Sequence, residues 1–239
     1  MRVNWNYIKF SFLLIMLVFL FAFASERNKT RTITDIQVSF LGDNNLFITE
    51  EAVNKLLIQN NDSLTTVLKE TLDLNGLETA LRSNPMIKTA EVYLTVNGEV
   101  KAEIEQRQPI ARVSTNASYY IDEDGLFMPL SENRSARVPL VTGDIVKNDL
   151  GNVYKIANRI QNDEFLKMHI IEIIQHSDKT ISLRTRELDL EIFFGHLDFL
   201  DKKVSNLKAF YQKAKKDKTL NNYKTVNLQF ENQVVCTKK

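Results

Sequence analysis

The chain has 239 residues, with 31 basic and 30 acidic side chains and a formal net charge of +1. That balance argues against a dedicated nucleic-acid binder, which shows a basic excess, and the single cysteine, Cys236, rules out an internal disulfide. Beyond residue 32 there is enough chain for one large or two small domains, held by their cores alone.

In chain order, the first element is the run Phe10–Ala24, FSFLLIMLVFLFAFA, which has no charge and Ser11 as its only polar side chain. As a helix it spans roughly 22 Å, against roughly 30 Å for a bilayer core. Trp5, Tyr7 and Ile8 extend the apolar surface and Lys9 can snorkel toward headgroups, which reads as an anchor. Ala22-Phe23-Ala24 before Ser25 fits a cleavage site, which reads as a secretory signal. Arg2 and Lys9 precede the run and Arg27, Lys29 and Arg31 follow it, so the flanking charges leave the orientation open. Either reading exports the rest of the chain.

Residues 26–32 read as a linker. Ile36, Val38 and Phe40 alternate with polar residues up to Gly42, the pattern of a strand with one buried face. Thr49 is placed to cap a helix whose first turn holds Glu50 and Glu51, and Ala52, Val53, Leu56 and Leu57 share one face of it. The polar stretch 60–71 is left unassigned. Leu77, Ala80 and Leu81 mark a second helix, stopped by Asn84-Pro85. Ala90, Val92, Leu94 and Val96 alternate, then Val100, Ala102 and Ile104, around Asn97-Gly98; this predicts a hairpin with a two-residue type I′ turn. Two helices on a three-stranded sheet would bury these faces, and Gln108-Pro109 marks the boundary to a second domain.

The second domain reads as β-rich: 110–113, 119–121, a turn at Asp122-Glu123-Asp124-Gly125, 126–130 and 138–142. A helix is expected over 149–162, strands over 169–175, 181–186 and 188–194, and a long helix over 197–215 with Leu200, Val204, Leu207, Phe210 and Tyr211 on its buried stripe. Strand-like segments at 223–230 and 233–236 close the chain. The fold class is therefore α+β.

No catalytic constellation stands out. Seven glycines form neither a phosphate-cradling loop nor a G-x-S-x-G elbow. His169, His176 and His196 lack metal-ligand spacing, and Asp122–Gly125 lacks the later ligands of a calcium loop. Glu50-Glu51 is explained by a helix N-terminus, and Cys236 by a small side chain on a terminal strand. No metal, cofactor or small-molecule substrate is expected. Residues 200–239 hold ten lysines against three acidic residues, a net of +7. The lysines at 213, 215, 216, 218 and 224 suit either a solvated helix end or the approach of an acidic partner. The segment 223–230 puts Val226, Leu228 and Phe230 on one face and Thr225, Asn227 and Gln229 on the other. Such a terminal strand is either paired on both sides or an open edge able to accept a partner strand.

The ordered series of the apolar run, ITDIQVSFLGDNNLFITEEAV, LETALRSNPMIKTAEVYLTVNGEVKAEIEQRQPIARV, YYIDEDGLFMPLS and VPLVTG resembles the FtsQ/DivIB family of bacterial cell-division proteins. The resemblance covers most of the chain after residue 32, and its strongest part is the exit from the first domain, Glu105–Ala111, followed by Tyr120-Ile121-Asp122 and Gly125. It implies a cytoplasmic tail (1–9), a retained transmembrane anchor (10–25), a POTRA domain (33–108), a β domain (109–236) ending in an edge strand, and a short tail (237–239). It also implies a non-enzymatic scaffold in the inner membrane at the division septum, with its bulk outside the cytoplasm, that links small bitopic partners of the FtsB and FtsL type and so controls septal peptidoglycan synthesis. In that family the partner engages the last strand, which maps here onto Tyr223, Thr225, Val226, Asn227, Leu228, Gln229, Phe230, Gln233, Val234 and Val235, with Lys215 and Lys216 as a cationic flank. The chain departs from the family's Asp-Leu-Arg-like sequence by having Asn227-Leu228-Gln229. The alternative expectation is a POTRA-containing component of protein export or outer-membrane assembly.

Overall fold

The structure is a computed structural model that describes residues 5–29, 33–42, 47–59, 72–186, 188, 190–231 and 233–239. The unassigned stretch 60–71 lies outside the described residues. The chain divides into two compact units between Gln106 and Arg107.

The first unit begins with α1 (Trp5–Lys29), which takes in residues assigned above to the tail and the linker. At 25 residues it is about 37 Å long, enough to cross a bilayer core. Its large apolar side chains are exposed along its whole length, from Trp5 to Phe23. With apolar side chains on every face it has no polar stripe for water, and its composition suits a lipid environment.

The remainder of this unit is β1 (Asp35–Leu41), α2 (Glu50–Gln59), α3 (Leu74–Arg82), β2 (Ile87–Leu94) and β3 (Glu99–Gln106). The three strands lie in the order β1-β3-β2, with β3 parallel to β1 and antiparallel to β2. Val100, Ala102 and Ile104 of the central strand are fully buried with Val53 and Leu57 of α2 and Leu77 and Leu81 of α3. Each such aliphatic side chain contributes about 1.5–3 kcal/mol. Thr49 caps α2 through its Oγ1, which accepts the Ala52 N–H at 3.2 Å, and the Asp73 carboxylate caps α3 by accepting the Gly76 N–H at 2.9 Å. Gln106 ties the segment before α2 to the end of β3. Its Oε1 accepts the N–H groups of Phe47 (3.0 Å) and Ile48 (3.4 Å), and its Nε2 donates to the Ile48 carbonyl (3.3 Å).

The hairpin forms, but not with the expected turn. Thr95 N–H donates to the Glu99 carbonyl and Gly98 N–H to the Thr95 carbonyl, so Val96, Asn97 and Gly98 make a three-residue loop. Gly98 has a φ of 93° while Asn97 is not in the left-handed region, and a type I′ turn needs both positive. Val96 is consequently lifted out of the alternation and is 81% exposed.

The second unit contains β4 (Pro109–Ser114), β5 (Ser118–Asp122), β6 (Phe127–Met128), β7 (Leu140–Gly143), α4 (Gly151–Gln161), α5 (Glu164–His169), β8 (Ile170–Gln175), β9 (Ile181–Thr185), β10 (Glu191–Gly195), α6 (Leu200–Lys216), β11 (Tyr223–Asn227) and β12 (Val235–Lys238). The strands form one sheet of nine in the order β12-β11-β10-β9-β8-β7-β4-β5-β6. Register aligns Cys236, Val226, Ile192, Leu183, Ile173, Val141, Val113 and Tyr119 in one row across eight strands. This row packs against α4, α5 and α6 as one core. The adjacent row, on the other face, runs Thr237, Thr225, Glu191, Arg184, Glu172, Leu140, Arg112, Tyr120 and is mostly polar. A one-residue slip of any strand would exchange the rows, so burial itself specifies the register.

Helix α5 is absent from the sequence expectations. It is short, and its six residues are held by the Asp163 carboxylate, which accepts the Leu166 N–H at 3.2 Å. The same carboxylate accepts from Arg159 of α4 (2.9 Å) and Lys208 of α6 (2.6 Å), joining three helices. Burial pushes the Asp163 carboxyl up, but the hydrogen bonds from Lys208, Leu166 and Arg159 outweigh it and hold it below the usual value. Asp122 is likewise buried. It accepts the N–H groups of Asp124 (3.0 Å) and Leu126 (2.7 Å) and pairs with Arg107 Nη1 at 2.6 Å, which accounts for the acidic turn as a structural one.

Candidate partner-binding edge

Both ends of the large sheet could in principle receive another strand, but β6 has two residues and β12 has four. The C-terminal edge is built as follows. Leu228 N–H donates to the Phe193 carbonyl of β10 at 2.9 Å. Alternation then directs the backbone of Val226 toward β10 and that of Thr225 and Asn227 toward β12. Thr225 faces Thr237 and Asn227 faces Val235, so those two residues of β12 bond inward. The N–H and C=O of Cys236, between them, therefore point out of the sheet, and the inward bond of the Lys239 N–H to the Asn222 carbonyl (2.9 Å) leaves Lys238 outward as well.

This corrects the sequence expectation. The strand Tyr223–Asn227 is interior, parallel to β10 and antiparallel to β12, and the open edge belongs to the next strand. Val226 (0% exposed) and Leu228 (1% exposed) are core residues and offer no side chain to a partner. Thr225 and Asn227 are half-buried on the outer face, and Tyr223 is half-buried with its ring edge-on to Phe210, 5.4 Å between centroids. Phe230 is exposed beside Gln229, whose N–H donates to the Asn227 side chain at 2.9 Å. The connection to β12 is tethered to α6: Lys202 Nζ donates to Glu231 at 2.8 Å and Asn206 Nδ2 to the Glu231 carbonyl at 3.2 Å. Gln233 and Val235 are exposed and Val234 is half-buried.

A cleft of about 350 Å³ lies beside the edge, lined by Phe210, Lys213, Ala214, Asp217, Thr219, Tyr223, Val234 and Cys236. Lys213 is therefore the α6 lysine next to the edge. Lys215 lines a separate cleft with Tyr211 and Lys218, and Lys216 lines neither. Sequence reasoning misses Thr237 and Lys238 as strand residues; it places Cys236 on a terminal strand and Lys213 among the lysines open to an acidic partner, but singles out neither for the edge. A four-residue strand is too short for its alternation to be read from sequence, and which α6 lysine faces the sheet depends on packing. Cys236 has its thiol turned to the helix side, and partial burial pushes its pKa up.

His169 and His176 have structural partners. His169 packs against Phe165 and Tyr211, with Nδ1 2.8 Å from the Phe165 carbonyl, and His176 Nε2 lies 2.9 Å from Ser182 Oγ. Among the described residues, no group of three or more His, Cys, Asp and Glu side chains is arranged to hold a metal ion.

Comparison with known proteins assigns this architecture. Residues 108–237, more than half of the chain, match the family described as FtsQ/DivIB, C-terminal related. The chain belongs to that family. Residues 34–105 match a POTRA-like domain, the unit built on β1-β3-β2. Among curated proteins, the cell division protein FtsQ of Geotalea daltonii (strain DSM 22248 / JCM 15807 / FRC-32) is 22% identical over 179 residues, covering 70% of this chain and 64% of that protein. The cell division protein FtsQ of Myxococcus fulvus (strain ATCC BAA-855 / HW-1) is 32% identical over 74 residues, 30% of this chain and 26% of that protein. The match thus spans less than two thirds of either relative's length.

Proposed function

We propose that this chain is a non-enzymatic scaffold of bacterial cell division, tethered in the inner membrane by α1, with its N-terminus cytoplasmic and both folded units outside the cytoplasm at the septum. Its C-terminal unit links small bitopic partners of the FtsB and FtsL type and through them controls septal peptidoglycan synthesis. The observation that carries this reading is the open edge of β12 on a sheet whose family is that of FtsQ. A partner strand laid along β12 bonds to the outward N–H and C=O of Cys236. Its side chain opposite Cys236 hangs over the cleft floored by Phe210, Ala214 and Tyr223, which suits a large apolar residue. Lys213 at the rim suits an acidic neighbour.

The test is capture of the intact membrane complex by a tag on the chain, with depletion of the chain in parallel. Co-purification of small single-span division proteins, with filaments that fail to septate on depletion, is the expected result. Normal septation in a strain without a second copy refutes the reading.

A further inference from the structure

A third cleft, of about 150 Å³, lies at the end of the large sheet where the chain enters from Arg107. The parallel register of β4, β7 and β8 puts the starts of all three strands at this end, beside the end of β9. The floor is apolar, with Val138, Pro139, Ile160 and Ile170, and Ile171, 41% exposed, forms part of the rim. The rest of the lining is polar: the cations Arg137, Lys167 and Arg186, with the neutral Gln161 among them. Among the described residues, none that is acidic lines the cleft. None of these cations makes an ion pair among the described residues, which do not include Glu187 and Asp189. Elsewhere in the unit Arg107, Arg159 and Arg184 are each held by a carboxylate at 2.6, 2.9 and 3.2 Å.

Three like charges around one small cleft repel one another, and an anion placed among them relieves that repulsion. The apolar floor decides what kind of anion. A bare inorganic ion would gain from the cations but only lose water against the aliphatic floor, whereas a peptide can set a carboxylate among the cations and an apolar side chain on the floor. We propose that this cleft is a docking site for an acidic segment of a partner protein, in which a carboxylate stands next to an apolar residue. It is separate from the β12 edge and does not depend on strand addition.

The test uses the full chain in zwitterionic lipid nanodiscs with isoleucine δ1-methyl NMR labels, titrated with acetyl-Asp-Leu-Glu-Leu-amide. Saturable shifts are expected at Ile160, Ile170 and Ile171, while Ile87 and Ile104 of the first unit stay fixed. The counterpart acetyl-Asn-Leu-Gln-Leu-amide should leave all of them unmoved. Arg137→Glu with Arg186→Glu is expected to weaken the peptide by about tenfold, and Ile171→Ser by about threefold with the charges intact. The remaining methyl signals report whether each variant is folded. Cys236→Pro should leave the titration unchanged, which separates this site from the edge strand. The proposal is overturned if millimolar peptide moves no cleft methyl, if the Asn/Gln peptide acts equally, or if inorganic phosphate at matched ionic strength reproduces the shifts. Equal shifts on adding anionic lipid vesicles would assign the cations to a membrane surface instead and overturn it too.

Discussion

Proline at position 236 separates binding from folding, because the structure assigns opposite directions to neighbouring backbone N–H groups. The Cys236 N–H points out of the sheet, so Cys236→Pro removes no internal ladder bond, and proline is tolerated on such edge positions. One residue on, Thr237 bonds inward to Thr225, and Thr237→Pro should lower fold stability by about 1–3 kcal/mol through the lost bond and the orphaned carbonyl. Leu228→Pro is worse: it removes the 2.9 Å bond to Phe193 and part of a side chain that is 1% exposed. Those losses together amount to about 4 kcal/mol, a large share of a domain's total of about 5–15 kcal/mol. For a strand added to β12, Cys236→Pro deletes one bond and buries one unsatisfied acceptor, about 2 kcal/mol or roughly thirtyfold in Kd. The assay is thermal unfolding of each variant beside calorimetric titration with the extracytoplasmic segment of the proposed FtsB-type partner from the same bacterium. Cys236→Pro with parental unfolding and parental affinity would refute strand addition at this edge. Cys236→Pro as unstable as Thr237→Pro would refute the assignment of outward and inward groups.

Asp163→Asn should weaken the α4–α5–α6 junction by about 1–3 kcal/mol at neutral pH. Because the native carboxyl lies below its ordinary 3.8, its contribution is complete above that value and is lost as pH falls through the depressed native one; calorimetry across the acid limb should show a shallower decline for the variant than for the parent. Gln106→Leu removes the side-chain acceptor shared by the N–H groups of Phe47 and Ile48 and should cost about 2 kcal/mol, with hydrogen exchange accelerated at those two amides first. The Cys236 thiol, raised above its ordinary 9.0, should alkylate slowly near neutrality, with a rate that still climbs above pH 9. A rate already level at pH 8 would contradict its partial burial.

Where burial follows a local period, sequence and structure agree in detail. Val53 and Leu57 on α2, Leu77 and Leu81 on α3, and Val100, Ala102 and Ile104 on β3 are each buried as their spacing requires. The same holds for Val204, Leu207 and Tyr211 of α6. The turn at Val96-Asn97-Gly98 shows the limit of a local signal. Asn-Gly permits two positive φ values, but the register of Leu94 with Val100 leaves room for a loop in which only Gly98 needs one. The strand 223–230 shows a different limit. Its alternation names the buried face and says nothing about its neighbours.

The amino-acid sequence alone determined the apolar N-terminal helix, the α+β class and the buried face of most elements, because each depends on composition or on a period of two to four residues. The tertiary structure alone decided which strand is the edge. β11 reaches β10 only after the chain has passed through α6, and β12 then folds back to cover it. Which backbone groups remain unpaired depends on these long-range pairings, so the outward N–H of Cys236, the placement of Lys213 beside it and the convergence of Arg137, Lys167 and Arg186 on one cleft have no local signature.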